Sequence, residues 1–334
     1  MVRRFSFVLL VELVILALFV WFLIYLFPTL DSKGYLFYGG TPYAPYLEQY
    51  ASHATPIVIR WIFYVVTALM MLFMMVTIIG EIIRWMTKQR KARHTLPDKG
   101  GEEQVVRFNN HLRVQHYLIM IFVTLAGAIG LAQAFPGWTV GQWFLEGVWG
   151  GLEAKRHFHH YFCYVVDATV LYFFCYLIYK YIIKREDASA MLPNFQDIKD
   201  MVIMNLYILG LRKEEPRYGR YTFGQKIDFY LIVVGIPVLS LTGLAMYYTT
   251  ISEGIISPLG IALAATIHRS VAIFLVWFVL SVHIYYAHLA PDLFPVNTVI
   301  LTGKMSRARY EALYPLDGER LPAKGSGPVL EKRS

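Results

Sequence analysis

Six long apolar stretches, at about 5–27, 57–83, 116–135, 160–183, 228–248 and 262–289, leave this chain few folds to choose from. Each is close to or beyond the roughly 20 residues a helix needs to cross a hydrocarbon core about 30 Å thick. In lipid a backbone amide must find its partner within its own segment, so such stretches are read as helices. The chain is therefore expected to be an all-α integral membrane protein with six transmembrane helices. Its 57% hydrophobic and 16% charged content agrees. The first stretch follows Met-Val-Arg-Arg and looks like a signal peptide, but no small-residue cleavage site follows it, so it reads as a retained helix.

Lysine and arginine set the orientation. With the N-terminus in the cytoplasm, six spans return the C-terminus there, and 26 of the 31 Lys and Arg fall in cytoplasmic segments. The expected location is a bacterial inner membrane with both termini cytoplasmic. The net charge of +8 is juxtamembrane and does not form a nucleic-acid surface. Cys163 and Cys175 share one span, so neither a disulfide nor a CxxC metal site is indicated. Iron–sulfur motifs, Gly-rich phosphate loops and nucleophile elbows are absent from the sequence. Three regions are expected: two N-terminal helices with an outer loop 28–56 in residues 1–100, a four-helix unit in 101–315, and a flexible cytoplasmic tail in 316–334. The stretch NFQDIKDMVIMNLYILGL, before the fifth span, is amphipathic and suits the membrane interface.

Histidine inside a membrane is rare without a task, and imidazole is a common axial ligand of haem iron. The last span carries two, His268 and His283. Fifteen residues of helix separate them by about 22 Å along the axis and about 60° around it. That geometry suits two haems at different depths. His116 begins the third span on the cytoplasmic side, and His159 begins the fourth on the outer side. Depth pairs His159 with His268 and His116 with His283. His157 and His160 flank His159 and stay open as alternatives to it. Gly127, Gly130 and Gly243 remove side chains where a macrocycle or a neighbouring helix could approach. Arg156 and Arg269 adjoin the outer pair, where haem propionates need positive charge. Lys155 suits that role no better than contact with an acidic partner surface or a lipid phosphate.

From about Arg107 to Leu313 the chain resembles the gamma subunit of membrane-bound formate dehydrogenases. That cytochrome b anchor is related to the cytochromes b of Ni/Fe-hydrogenase and thiosulfate reductase. The resemblance runs through RVQH at 113–116, LAG at 125–127 and RHFH at 156–159. It continues in YGRYTFGQKIDFY at 218–230, LTG at 241–243, IH at 267–268, HIY at 283–285 and TGKMSRARYEALYP at 302–315. It implies a four-helix diheme cytochrome b bundle, two haem b groups on the four histidines, and a menaquinone or ubiquinone site at the cytoplasmic face. There the family carries Asn-x-Gly-Gln. Here the segment is Thr222-Phe223-Gly224-Gln225, with threonine in place of asparagine. The chain also departs from short family members in its two added N-terminal helices.

The expected function is electron transfer from a periplasmic iron–sulfur partner, itself fed by a molybdopterin, tungstopterin or NiFe catalytic subunit, through two haems to quinone. The same scaffold run in reverse would oxidise quinol for a hydrogenase-type, thiosulfate/polysulfide or other reductase. From a different class, a haem-free structural anchor or a transporter shares the composition, although inverted repeats and paired broken helices are lacking. Asp167, in the middle of the fourth span, and Asp228, at the mouth of the fifth, are the acidic groups in position to handle protons.

Overall fold

The computed structural model describes residues 53–86, 103–134, 139–289 and 297–322, with six isolated helical positions between Leu10 and Trp21. Apart from those positions, the expected first span lies outside the described residues, as does nearly all of the loop 28–56. Among the described residues five helices are long and apolar enough to cross a membrane: Ala54–Glu81, Asn110–Ala132, Ala154–Ile183, Phe223–Tyr247 and Pro258–His288.

We label the main helices α1 (Ala54–Met86), α2 (Asn110–Ala134), α3 (Leu152–Leu177), α4 (Phe195–Ile208), α5 (Phe223–Tyr230), α6 (Ile236–Tyr247), α7 (Pro258–Phe278) and α8 (Arg307–Leu313). Several begin three to six residues before the apolar stretches, because their first turns are built from polar flanks. Thr222 and Gln225 form a capping box at the start of α5: each side chain accepts the other's backbone N–H. Ser257 caps α7 by accepting from Gly260 N, with Pro258 as the first helical residue. His116 consequently stands in the second turn of α2 and not at its start.

Helix α7 is the centre of the bundle and packs along α1, α6 and α2. Its alanines 262, 264 and 265 are buried, which lets neighbouring backbones come close. Met71, Met74 and Ile78 of α1 are fully buried, so this helix is integral to the bundle. A second cluster joins Val166 and Val170 of α3 to Ile236 of α6, flanked by Ile119, Phe122 and Val123 of α2. Leu171, Ile182 and Leu241 point outward and are well exposed, as lipid-facing residues are. Three spans depart from α geometry, the one that begins with α3 by ending in a π turn at Ile178–Ile183. Residues Leu231–Gly235 join α5 to α6 as a π-helical turn, and α7 continues into π turns at Val279–His283 and Tyr285–Leu289. Such turns often mark functional positions, and here one carries His283.

One end of the bundle is closed by a small antiparallel sheet, β1 (Gln104–Val106) against β2 (Lys304–Ser306), with Val105 opposite Met305. We call this the sheet end. Val105, Val299, Met305, Tyr310 and Tyr314 form its core. Gly303 enters β2 at φ +77, and a Cβ there would sit 2.4 Å from Phe108 O, so only glycine fits. Order extends further than the expected tail boundary. Residues Pro315–Gly318 form a helical turn, Leu321 packs on the core, and Arg307 donates to Pro322 O at 2.7 Å. The sequence 316–322 is polar and looked solvated, but the Arg307 guanidinium gives its carbonyl a partner.

Helix α4 is amphipathic as expected. Phe195, Ile198, Val202 and Leu209 are exposed, while Asp197 and Asp200 are buried on the opposite face. An Asn194–Asp197 capping box begins it, and Lys226 of α5 pairs with Asp197 at 2.9 Å. Burial raises the Asp200 carboxyl above its ordinary pKa. Where α4 crosses α1, Gly80 is the point of closest approach: a Cβ there would lie 2.8 Å from Ile208 Cγ2.

Candidate functional site

Four histidines face one another in two pairs, at two levels of the bundle. At the sheet end, His116 of α2 faces His283 across 6.1 Å between ring centroids. Toward the opposite end, His159 of α3 faces His268 of α7 across 6.5 Å. His160 instead packs against Tyr247, with ring centroids 4.1 Å apart, and His157 is exposed. His111 is engaged by Tyr172 and Tyr176 of α3.

Hydrogen bonds fix the tautomers of three of the four rings. His159 Nδ1 donates to Ala126 O at 3.1 Å, and His268 Nδ1 donates to Leu239 O at 3.0 Å. A carbonyl oxygen can only accept, so the proton is on Nδ1 in both and Nε2 carries the lone pair, which in His159 faces Cys163 Sγ at 3.7 Å. His283 Nδ1 lies 3.1 Å from Asp228 Oδ2, a carboxylate–imidazole pair of the kind that orients metal-bound histidines. His116 Nδ1 is buried without a hydrogen-bond partner among the described residues.

These spacings can be tested against a shared metal. A metal–imidazole bond of about 2 Å on each side, plus roughly 1.15 Å from nitrogen to the ring centre, would separate two imidazole centroids on opposite sides of one metal by about 6.3 Å. Both pairs fall within a few tenths of that value, so the residues fit an iron held between them. Glycines adjoin the distal pair. A Cβ at Gly243 would lie 3.2 Å from His268 Cε1, and one at Gly130 would lie 3.6 Å from His159 Cε1. Arg156 and Arg269 are half-buried at the same level. Among the described residues no group of three or more His, Cys, Asp or Glu could hold a bare metal ion.

Beside the His116–His283 pair, the Thr222-Phe223-Gly224-Gln225 segment forms the first turn of α5. Gln225 is heavily engaged. Its Oε1 accepts from Thr222 N at 3.1 Å and from Arg107 Nη2 at 3.2 Å, and its Nε2 donates to Tyr314 OH at 2.9 Å. The Arg107 guanidinium lies 4.5 Å from the Tyr314 ring and 4.8 Å from the Tyr221 ring. Gly224 is open, since a Cβ there would meet nothing nearer than Thr222 Oγ1 at 3.9 Å.

Sequence reasoning passed over several groups at these sites. Gln115 is 4% exposed, and neither end of its amide has a partner among the described residues. His288 Nδ1 is buried and unpartnered near the His116–His283 pair. Glu81 of α1 is buried against Tyr285. Glu81 and His288 belong to no motif, and Gln115 lies within RVQH without a role of its own there, so only packing reveals them. Asp167 takes a hydrogen bond from Ser240 across the α3–α6 contact.

The prokaryotic cytochrome b561 family matches residues 107–294, more than half of the chain, and all four facing histidines fall in that interval. The formate dehydrogenase cytochrome b556(fdo) subunit of Escherichia coli K12 is 24% identical over 185 residues, covering 55% of this chain and 79% of that protein. The subunits of the same name from Escherichia coli O6:H1 and O157:H7 match to the same extent. With a family match over more than half its length and five helices long and apolar enough to cross a membrane among the described residues, the chain belongs to the prokaryotic cytochrome b561 family and is a membrane cytochrome b.

Proposed function

We propose that this chain is the two-haem electron conduit of a formate dehydrogenase-like membrane complex. One haem b is assigned to His159 and His268 and the other to His116 and His283. The observation that carries the reading is the pair of facing imidazoles at 6.5 and 6.1 Å, each on different helices of one bundle. These four histidines would hold the haems, which would supply one-electron transfer there. The protein's part is to hold four imidazoles rigidly. Ala126 O, Leu239 O and Asp228 fix three rings, and the buried bundle keeps water away.

The distribution of Lys and Arg supports cytoplasmic termini in a bacterial inner membrane, with the His159–His268 level facing outward. On that reading a periplasmic iron–sulfur subunit, fed by a catalytic subunit, delivers electrons at the outer level. Quinone is reduced at the sheet end, in the open space beside Gly224, with Thr222 and the remaining amide hydrogen of Gln225 as polar contacts. Arg156 and Arg269 would neutralise the propionates of a haem held at the outer level.

The test is a dithionite-reduced-minus-oxidised spectrum with pyridine haemochrome quantification on the wild type, His116→Ala and His283→Ala. Two b haems per chain, falling to one in each variant, are expected. An intact, monodisperse wild type without haem would overturn the reading.

A further inference from the structure

The cation placed deepest beside the outer histidine pair is Lys155, at 2% exposure. It lies four residues before His159 on α3, so the two side chains share one face of that helix, with Lys155 nearer the end. Among the described residues its ammonium makes neither a hydrogen bond nor an ion pair. Only its backbone N–H is bonded, to Gly151 O at 3.2 Å. A lysine so largely covered by the bundle is costly to keep charged unless an anion meets it. Burial also discriminates among anions. A lipid phosphate or a partner's carboxylate would approach from outside the bundle, where Lys155 presents almost no surface. A carboxylate already inside, on the rim of a group held between His159 and His268, has access.

We infer that Lys155 binds a haem propionate, as the buried anchor of the outer haem, with Arg156 and Arg269 at the more accessible positions around it. The inference rests on the two-haem reading and deepens it. A lysine against a propionate places positive charge beside the iron, and positive charge favours the ferrous form.

The experiment is a spectroscopic redox titration of the full-length wild type, Lys155→Met and Lys155→Arg, in membranes and after detergent purification. His159→Ala identifies which haem is the outer one. In Lys155→Met the outer haem becomes about tenfold harder to reduce, roughly 59 mV for one electron. The inner haem moves less, and Lys155→Arg restores the outer value. Persistence of the shift after delipidation excludes a lipid phosphate. If Lys155→Met instead loses the outer haem, retention in Lys155→Arg supports the anchor, and loss in both overturns it. An unchanged outer-haem potential with both haems present also overturns it. A wild type devoid of haem would be the failure of the two-haem reading itself.

Discussion

Tyr285, two residues beyond His283, donates a 2.5 Å hydrogen bond to Glu81 of α1, and both side chains are buried. Helix α1 precedes the segment 107–294 that matches the family, yet it is joined to the helix carrying two of the four paired histidines. One turn further, Arg84 stacks on Tyr207 of α4 with its guanidinium carbon 3.7 Å from the ring centre. The added helix is thus fastened at the level of the His116–His283 pair by polar groups that lipid could not satisfy.

Removing the Tyr285 hydroxyl deprives a buried carboxyl of one partner. Such losses cost about 1–3 kcal/mol, so Tyr285→Phe is expected to lower the thermal midpoint of the purified protein. Glu81→Gln keeps an acceptor for the hydroxyl and should cost less. Adding Glu81→Gln to Tyr285→Phe should cost less than the sum of the two. Simple additivity would mean the pair is not coupled.

Asp228 bears on chemistry as well as on packing. A carboxylate hydrogen-bonded to Nδ1 makes the imidazole a stronger donor to a metal and favours the ferric state. Asp228→Asn should therefore raise the midpoint potential of the haem assigned to His283 and leave the other nearly unchanged. A potentiometric titration resolving the two haems measures this, and an equal shift in both would contradict a local effect.

Much of this arrangement was readable in the sequence, for physical reasons. Membrane thickness fixes helix length, so five of the six apolar stretches appear as spans among the described residues, and the first lies outside them. Depth likewise selected the histidines that face each other, because residues at one level of a bundle are the ones able to meet. The orientation of His160 toward Tyr247 was not readable, since His157, His159 and His160 have nearly the same depth and differ only in the face they occupy. In the sequence Gln225 reads either as a quinone contact or as the cap of the fifth helix; the structure shows the cap, and adds bonds to Arg107 and Tyr314 from distant parts of the chain. No local pattern announces Arg107 or Tyr314 as partners of a residue over 80 positions away.

Glycine spacing gives a graded test. Alanine at 243 would place its Cβ 3.2 Å from His268 Cε1, tighter than ordinary contact, while alanine at 130 would lie at a comfortable 3.6 Å from His159 Cε1. Gly243→Ala should reduce haem occupancy at the His159–His268 level, and Gly130→Ala should reduce it less. Pyridine haemochrome quantification of the two variants orders them, and the reverse order would show that Gly130 faces the macrocycle more closely than Gly243 does.

Gln225 separates a structural role from a ligand-binding one. Gln225→Ala removes the acceptor for Thr222 N and Arg107 and the donor to Tyr314. Loss of a cap costs on the order of 1 kcal/mol, and the buried Arg107 guanidinium loses Gln225 Oε1 as an acceptor. A lowered thermal midpoint is expected, together with easier proteolysis of the segment around residues 214–222 that leads into α5. Gln225→Glu keeps the acceptor and adds a charge opposite Arg107, so it should retain most of the stability. Quinone reduction divides the two roles. If Gln225 also touches quinone through its remaining amide hydrogen, Gln225→Glu raises the KM for quinone while the protein stays as stable as wild type. If KM follows stability across both variants, Gln225 serves the cap alone, and the quinone contact belongs to Thr222 or to the backbone at Gly224.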